Sequence, residues 1–150
     1  MNHSTDQRHG AEDSAYGSSG KLEQLESLLD HLPGMVYRCR NDRDWTMEVI
    51  RGACGELTGY APDDLIGNAR CSYASLIVAE DRDKVWRAVQ DALASGGVFQ
   101  LSYRIVTASG SERYIWEQGR CVFDEVGNLV GLQGYIADVT QTQHAKGDAY

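Results

Sequence analysis

The last third of the chain constrains the fold most. Three segments, about 98–107, 113–123 and 129–139, are joined by Ala108-Ser109-Gly110-Ser111 and by Asp124-Glu125-Val126-Gly127-Asn128. Both connections are short and rich in turn residues, so the three segments read as strands of an antiparallel meander. In the last of them Leu132, Gly134 and Ile136 point one way while Gln133, Tyr135, Ala137 and Val139 point the other. Apolar residues on both faces require cover on both. Upstream, Met35, Tyr37 and Cys39 alternate with Val36, Arg38 and Arg40. Beyond the polar turn 41–44, Trp45, Met47 and Val49 alternate with Thr46 and Glu48, which predicts a hairpin of two half-buried strands.

Between the hairpin and the meander the chain reads as helical. Gly52, Gly55, Gly59, Pro62 and Gly67 break residues 52–79 into short pieces. Ala61-Pro62-Asp63-Asp64-Leu65 is a helix start, with proline in the first turn and acids facing the helix dipole. Glu80-Asp81 opens a longer helix that buries Val85, Trp86, Val89 and Leu93 and closes at Ser95-Gly96-Gly97. At the front, leucines at 22, 25, 28, 29 and 32 place one stripe on a helix that Pro33-Gly34 stops. Helix, two strands, a helical middle and three strands define an α+β domain, with helices laid over one antiparallel sheet.

A length of 150 residues suits one domain able to bury its own core. Residues 1–19 carry almost nothing to bury and are predicted to be disordered. The domain organisation is then a tail at 1–19, an amphipathic flanking helix at 20–32, the domain proper at 33–140 and a linker at 141–150. Asp plus Glu number 22 against 14 Lys plus Arg, a net charge of −8 that argues against nucleic acid as a partner. The longest strongly apolar run, Leu76-Ile77-Val78-Ala79, falls far short of the roughly 20 residues of a membrane span. The polar start carries no secretory signal pattern, so a cytoplasmic protein without membrane contact is expected. Cys39, Cys54, Cys71 and Cys121 are scattered without a CxxC pair and read as small reduced hydrophobes, with no metal site expected.

Several local phrases, in this order, resemble the PAS domain with its trailing PAC segment. They are Gly59-Tyr60-Ala61-Pro62-Asp63-Asp64-Leu65-Ile66-Gly67, then Ala79-Glu80-Asp81-Arg82, which has Ala79-Glu80 where His-Pro is usual. Tyr103-Arg104, Gly110-Ser111, Trp116, Asp124 to Asn128 and Gly134 follow, and Asp138-Val139-Thr140 matches the closing signature. The resemblance covers about residues 33–140. It implies a five-stranded antiparallel sheet cupping a pocket under central helices. It further implies a sensory or interaction role as the input segment of a longer bacterial signalling protein, with a histidine kinase or a cyclic-di-nucleotide enzyme as effector. It also implies that Asp138 and Thr140 anchor the exit to that effector. The helix bearing Leu22, Leu25, Leu28, Leu29 and Leu32 then covers the outer sheet face, in its own chain or across a homodimer.

The residues disfavour two cofactors of that family. The flavin-binding branch needs a photoreactive cysteine in a Gly-Arg-Asn-Cys-Arg-Phe-Leu-Gln setting, whereas Gly67-Asn68-Ala69-Arg70-Cys71-Ser72-Tyr73 places its cysteine one step out of register. Ile136 stands where a flavin-gripping amide is expected, and an alkyl side chain cannot hydrogen-bond the ring. Haem needs an axial ligand, and residues 32–143 hold no histidine. An unidentified small organic ligand remains. From the alternation, Tyr37, Met47, Val49, Leu76, Trp86, Tyr103, Ile105, Trp116 and Ile136 are candidates to line its pocket, with plain core packing as the alternative. Buried tyrosine hydroxyls need partners, so Tyr37 and Tyr103 are the candidates to orient a polar ligand group.

No phosphate-binding loop, kinase or cyclase motif is present, and acid pairs such as Asp63-Asp64 and Asp81/Asp83 sit at helix starts. No catalysis is expected within this chain. Two alternatives to ligand sensing stay open: a ligand-free dimerisation or relay module, and a small hydratase-like α+β enzyme with a pocket in a curved sheet.

Overall fold

Each of the five expected strands forms, and together they make one antiparallel sheet. The computed structural model describes residues 20–142, so the expected disordered tail, and the linker from 143 onward, lie outside the described residues. Helix α1 spans residues 20–30. It is followed by β1 (Met35–Cys39), β2 (Met47–Gly52), α2 (Cys54–Thr58), α3 (Pro62–Leu65), α4 (Tyr73–Leu76) and α5 (Ala79–Ala94). Strands β3 (Val98–Val106), β4 (Glu112–Phe123) and β5 (Leu129–Asp138) complete the domain. The strand order is β2-β1-β5-β4-β3, so the first and last strands of the chain are neighbours at the centre of the sheet.

The inner face carries the core. Met35, Leu65, Ile77, Ile105, Ile115, Leu132 and Ile136 are fully buried, and each such side chain contributes roughly 1.5–3 kcal/mol by leaving water. Helix α5 lays Val85, Val89 and Ala92 on this face. Its first turn is tied to β3: Asp81 accepts from the Arg104 backbone N–H at 2.9 Å and from Nε and Nη2 of the same side chain at 3.0 and 3.1 Å. This fork of charge-assisted bonds fixes the helix on the sheet. The family-like stretch at Asp81 is therefore an inter-element clasp as well as an acid at a helix start.

Strand β2 was expected over 45–49 with Met47 and Val49 on one face; it runs to Gly52, and a bulge shifts its register. Met47 pairs with Cys39 while Val49 pairs with Arg38, so Glu48 is the extra residue and Val49 turns to the outer face, 47% exposed. The leucine stripe of α1 is expected to cover the outer sheet face, in its own chain or across a homodimer. Within this chain Leu22, Leu25 and Leu28 are 60%, 55% and 67% exposed, and Leu29 and Leu32 are half-buried. Arg51 on edge strand β2 pairs with Glu26 at 3.8 Å and Asp30 at 3.5 Å, which holds the acidic side of α1 at the sheet's edge and turns the leucines outward. The helix also ends two residues early, closing with tight turns from His31 to Leu28 and from Leu32 to Leu29.

Candidate functional site

The site is built around a charged residue in the middle of a core strand. On β4, Ile115, Glu117, Gly119 and Cys121 all face inward, and Glu117 is as buried as its apolar neighbours. Its Oε1 accepts from the Tyr103 hydroxyl of β3 at 2.6 Å, and its Oε2 accepts from the Tyr37 hydroxyl of β1. The Tyr73 hydroxyl, from α4, lies 2.7 Å from that of Tyr103. Tyr103 has one proton and spends it on Glu117, so Tyr73 donates to Tyr103. The polar chain is thus Tyr73 to Tyr103 to Glu117, met from the other side by Tyr37.

Glycines make the reach from β1 possible. Strands lie about 4.8 Å apart, so Tyr37 must cross two spacings to meet a residue of β4. It pairs with Gly134 of β5, which pairs in turn with Gly119 of β4. A Cβ at either glycine would lie 2.9 Å from the Tyr37 hydroxyl oxygen. The two missing side chains form the channel in which the phenol lies.

Burial governs the protonation of this cluster. It pushes the Glu117 carboxyl up from its ordinary value, against the smaller downward pull of the Tyr103 and Tyr37 hydroxyls. Burial likewise raises Tyr37 and Tyr103 well above the usual phenol, and the nearby Glu117 charge adds to both. The protons therefore stay on the phenols. The Cys39 thiol, also on the wall, is raised for the same reasons, so it is not a nucleophile at neutral pH.

The cavity left among these groups, whose wall includes Met47, Ile77 and Ile136, offers about 20 Å³ to the centre of a water molecule. That is room for about one water. On the far side of Trp45 and Ile77 lies an outer cleft of about 200 Å³ that includes Arg43, Arg82 and Trp86. The Trp45 and Trp86 rings are 5.4 Å apart, and the Arg43 guanidinium sits 3.9 Å from the centre of Trp86. Trp45 has a φ of 49°, the left-handed region, where the turn closed by Asp42 holds it.

At the end of β5 a second carboxylate closes the fold. Asp138 accepts from the Thr140 N–H at 2.9 Å, from its hydroxyl at 2.5 Å and from Arg113 at 2.9 Å. The Thr140 hydroxyl oxygen in turn accepts from the Tyr114 N–H at 2.9 Å. Burial raises the Asp138 carboxyl, but Thr140 and Arg113 outweigh it and the net shift is downward.

The nine pocket candidates divide accordingly. Tyr37, Met47, Tyr103 and Ile136 stand on the cavity wall, and Trp86 lines the outer cleft. Leu76 and Ile105 are buried in the core off the wall. Val49 and Trp116 are corrections. The bulge turns Val49 out, and Trp116, between inward Ile115 and Glu117, points to the outer face opposite Ser102 and Ala137. Glu117, Tyr73 and Trp45 were missed. The available signal for Glu117 was parity, because Ile115, Gly119 and Cys121 share its side of the strand.

A curved antiparallel sheet cupping a buried polar cluster, roofed by short helices and leaving through a pinned last strand, defines a sensory module of signalling proteins. The chain belongs to the PAS fold family, whose model matches residues 48–136, more than half of the chain. It is 27% identical over 124 residues to a methyl sulfide methyltransferase-associated sensor from Methanosarcina acetivorans, covering 82% of this chain and 12% of that protein. It is 26% identical over 145 residues to a blue-light-activated histidine kinase from Brucella anthropi, covering 86% of this chain and 28% of that protein. The chain thus spans little more than a quarter of the longer match and about an eighth of the other. Among solved structures, the PAS domain of a protein from Colwellia psychrerythraea superposes with a TM-score of 0.67 at 20% identity, over 80% of this chain and 98% of that one.

A flavin, which the light-sensing branch of the family would imply, does not fit the residues present. Cofactor-sized ligands occupy about 300–1,000 Å³, whereas the cavity offers about 20 Å³. Cys71 is not on its wall, and Ile136 presents an alkyl group there.

Proposed function

We propose that this chain is the sensory input module of a longer signalling protein, in which a small polar organic ligand seated against Tyr37, Tyr103 and Glu117 biases a downstream effector. The observation that carries this reading is the Glu117 carboxyl, held by two tyrosine hydroxyls at the wall of an otherwise apolar cavity. A core selected for stability alone does as well or better with apolar residues of the same volume. A histidine kinase or a cyclic-di-nucleotide enzyme is the proposed effector. A kinase among the relatives, and the small share of each relative that the chain spans, support it. Catalysis then belongs to another segment, and the module works in the cytoplasm. No helix among the described residues is long and apolar enough to cross a membrane.

A ligand larger than a water needs the cavity to open. Trp45 and Ile77 separate it from the outer cleft, and Trp45 already sits in a backbone conformation costly for a bulky side chain. A ligand that binds the opened packing better shifts the population toward it. Strand β5, which carries Ile136 on the cavity wall and ends at the Asp138–Thr140 anchor, is the route to the segment beyond.

A second reading, a ligand-free dimerisation or relay module, is favoured by the exposed Leu22, Leu25 and Leu28 of α1. Native mass spectrometry of the purified protein, set against its denatured mass, separates the two. A non-covalent mass excess that falls in the Tyr37→Phe/Tyr103→Phe variant is the expected result. A clean mass, together with a dimer lost in the Leu25→Glu/Leu28→Glu variant, transfers the role to the relay.

A further inference from the structure

The chemistry of the cavity wall specifies a ligand class, given the sensory reading above, on which this inference rests. Among the described residues Glu117 is the one ionisable carboxyl on the wall, and no Lys, Arg or His shares it. A carboxylate offers about four acceptor positions, and Tyr37 and Tyr103 fill two of them. All three phenol protons are committed, those of Tyr37 and Tyr103 to Glu117 and that of Tyr73 to Tyr103. What the tyrosines and Glu117 still offer a ligand is oxygen lone pairs and aromatic faces. Such a wall has acceptors in excess, and its one ionisable carboxyl has no counter-charge beside it, so burial favours the protonated form while the cavity is empty. An anion would add a charge that nothing on the wall balances, and an uncharged ligand would leave the carboxyl protonated.

We propose that the cavity binds a small alkylammonium cation, its charged head against the Glu117 carboxylate among the rings of Tyr37, Tyr73 and Tyr103. An ammonium supplies the donors that the wall lacks, and aromatic faces attract it electrostatically. Its head is the size of a water, which matches the room available, and an alkyl tail of a few carbons extends past Trp45 and Ile77 toward the outer cleft. In the empty cavity a proton on Glu117 is what neutralises the carboxyl. The arriving cation replaces that proton, which leaves to solvent, so affinity rises with pH until Glu117 ionises unaided.

Ethylammonium, ethanol and acetate, three probes of nearly one shape and three charges, test this by amide chemical-shift titration at fixed ionic strength. Ethylammonium is expected to bind about tenfold or more tighter than ethanol, and acetate not to bind. Raising the pH from 5 to 8 tightens ethylammonium alone. Glu117→Gln, which keeps the shape and loses the charge, is expected to abolish the preference, so that ethylammonium binds no tighter than ethanol to the same variant. Calorimetry of the wild type in two buffers of different ionisation enthalpy adds a readout free of any variant. Release of up to one proton per ethylammonium is expected at the acidic end. Ethanol binding as tightly as ethylammonium, or binding with no proton released, overturns the cation inference and leaves a sensor of neutral molecules. If none of the three probes moves a resonance of the cavity, both the inference and the sensory reading fall.

Discussion

Glu117 and Asp138 lie on neighbouring strands two positions apart in register, since Glu117 pairs with Ile136. Both are held by hydroxyls, yet their carboxyls shift in opposite directions. Glu117 receives only phenol protons inside the core, so the cost of leaving water dominates. Asp138 is also partly buried, but it receives a backbone N–H and the Arg113 guanidinium as well as a hydroxyl. A full-strength donor or a counter-charge decides the sign. The difference separates a carboxyl left uncompensated, suited to meeting a ligand, from one already satisfied, suited to pinning a strand.

The largest effect comes from closing the channel beneath Tyr37. A Cβ at Gly134 would lie 2.4 Å from the backbone oxygen of Gln118 and 2.7 Å from Gly119 Cα. Backbone cannot yield as a side chain can, so Gly134→Ala is expected to cost about 3 kcal/mol in urea unfolding. Gly55, in α2, has open space around its missing side chain and no left-handed φ. Gly55→Ala is therefore expected to be neutral or to gain up to about 1 kcal/mol. Equal stability of the two variants would break the claim that the inner carboxyl depends on the glycine pair.

The same contrast marks what could be read from sequence. Turn-rich connections delivered the meander, and Tyr37 and Tyr103 stood out because a buried hydroxyl needs a partner. Their shared partner did not stand out, because a lone glutamate between Trp116 and Gln118 carries no signal of burial. Parity along β4 places Glu117 inward and Trp116, a pocket candidate from the alternation, outward, but only when Gly119 is counted as an inward residue. Val49 failed differently: a one-residue bulge at Glu48 is invisible in an alternating pattern and reverses every side chain after it. The leucine stripe on α1 was legible as a stripe, whereas what covers it depends on Arg51 and on the turn at Pro33-Gly34, which no periodicity encodes.

A middle-sized effect is expected at the rim. Asp138→Ala removes the acceptor shared by the Thr140 N–H, its hydroxyl and Arg113, a loss of about 1–2 kcal/mol. The damage should be local. Amide exchange at Val139 and Thr140 speeds up, while the shifts of residues on the cavity wall stay in place. If cavity resonances move as much as those of the exit, the two carboxyls form one unit and the contrast between them is wrong.

The smallest effect is the most specific, because it depends on sign. The raised Glu117 carboxyl keeps its proton in the folded protein at pH values where the unfolded chain has lost it. Its contribution is fully present below the ordinary value of 4.5 and is lost as the pH rises from there to the raised value. Over that window the wild type should lose stability relative to Glu117→Gln, by at most about 1.4 kcal/mol per pH unit for one proton. The lowered Asp138 carboxyl does the reverse. Its contribution is present above the ordinary value of 3.8 and is lost as the pH falls below it, so the gap between wild type and Asp138→Asn narrows in acid. Urea unfolding of the three proteins from pH 3 to 8 yields two difference curves that should slope in opposite directions on opposite sides of about pH 4. Parallel curves for the wild type and Glu117→Gln would mean that the inner carboxyl has found a counter-charge after all.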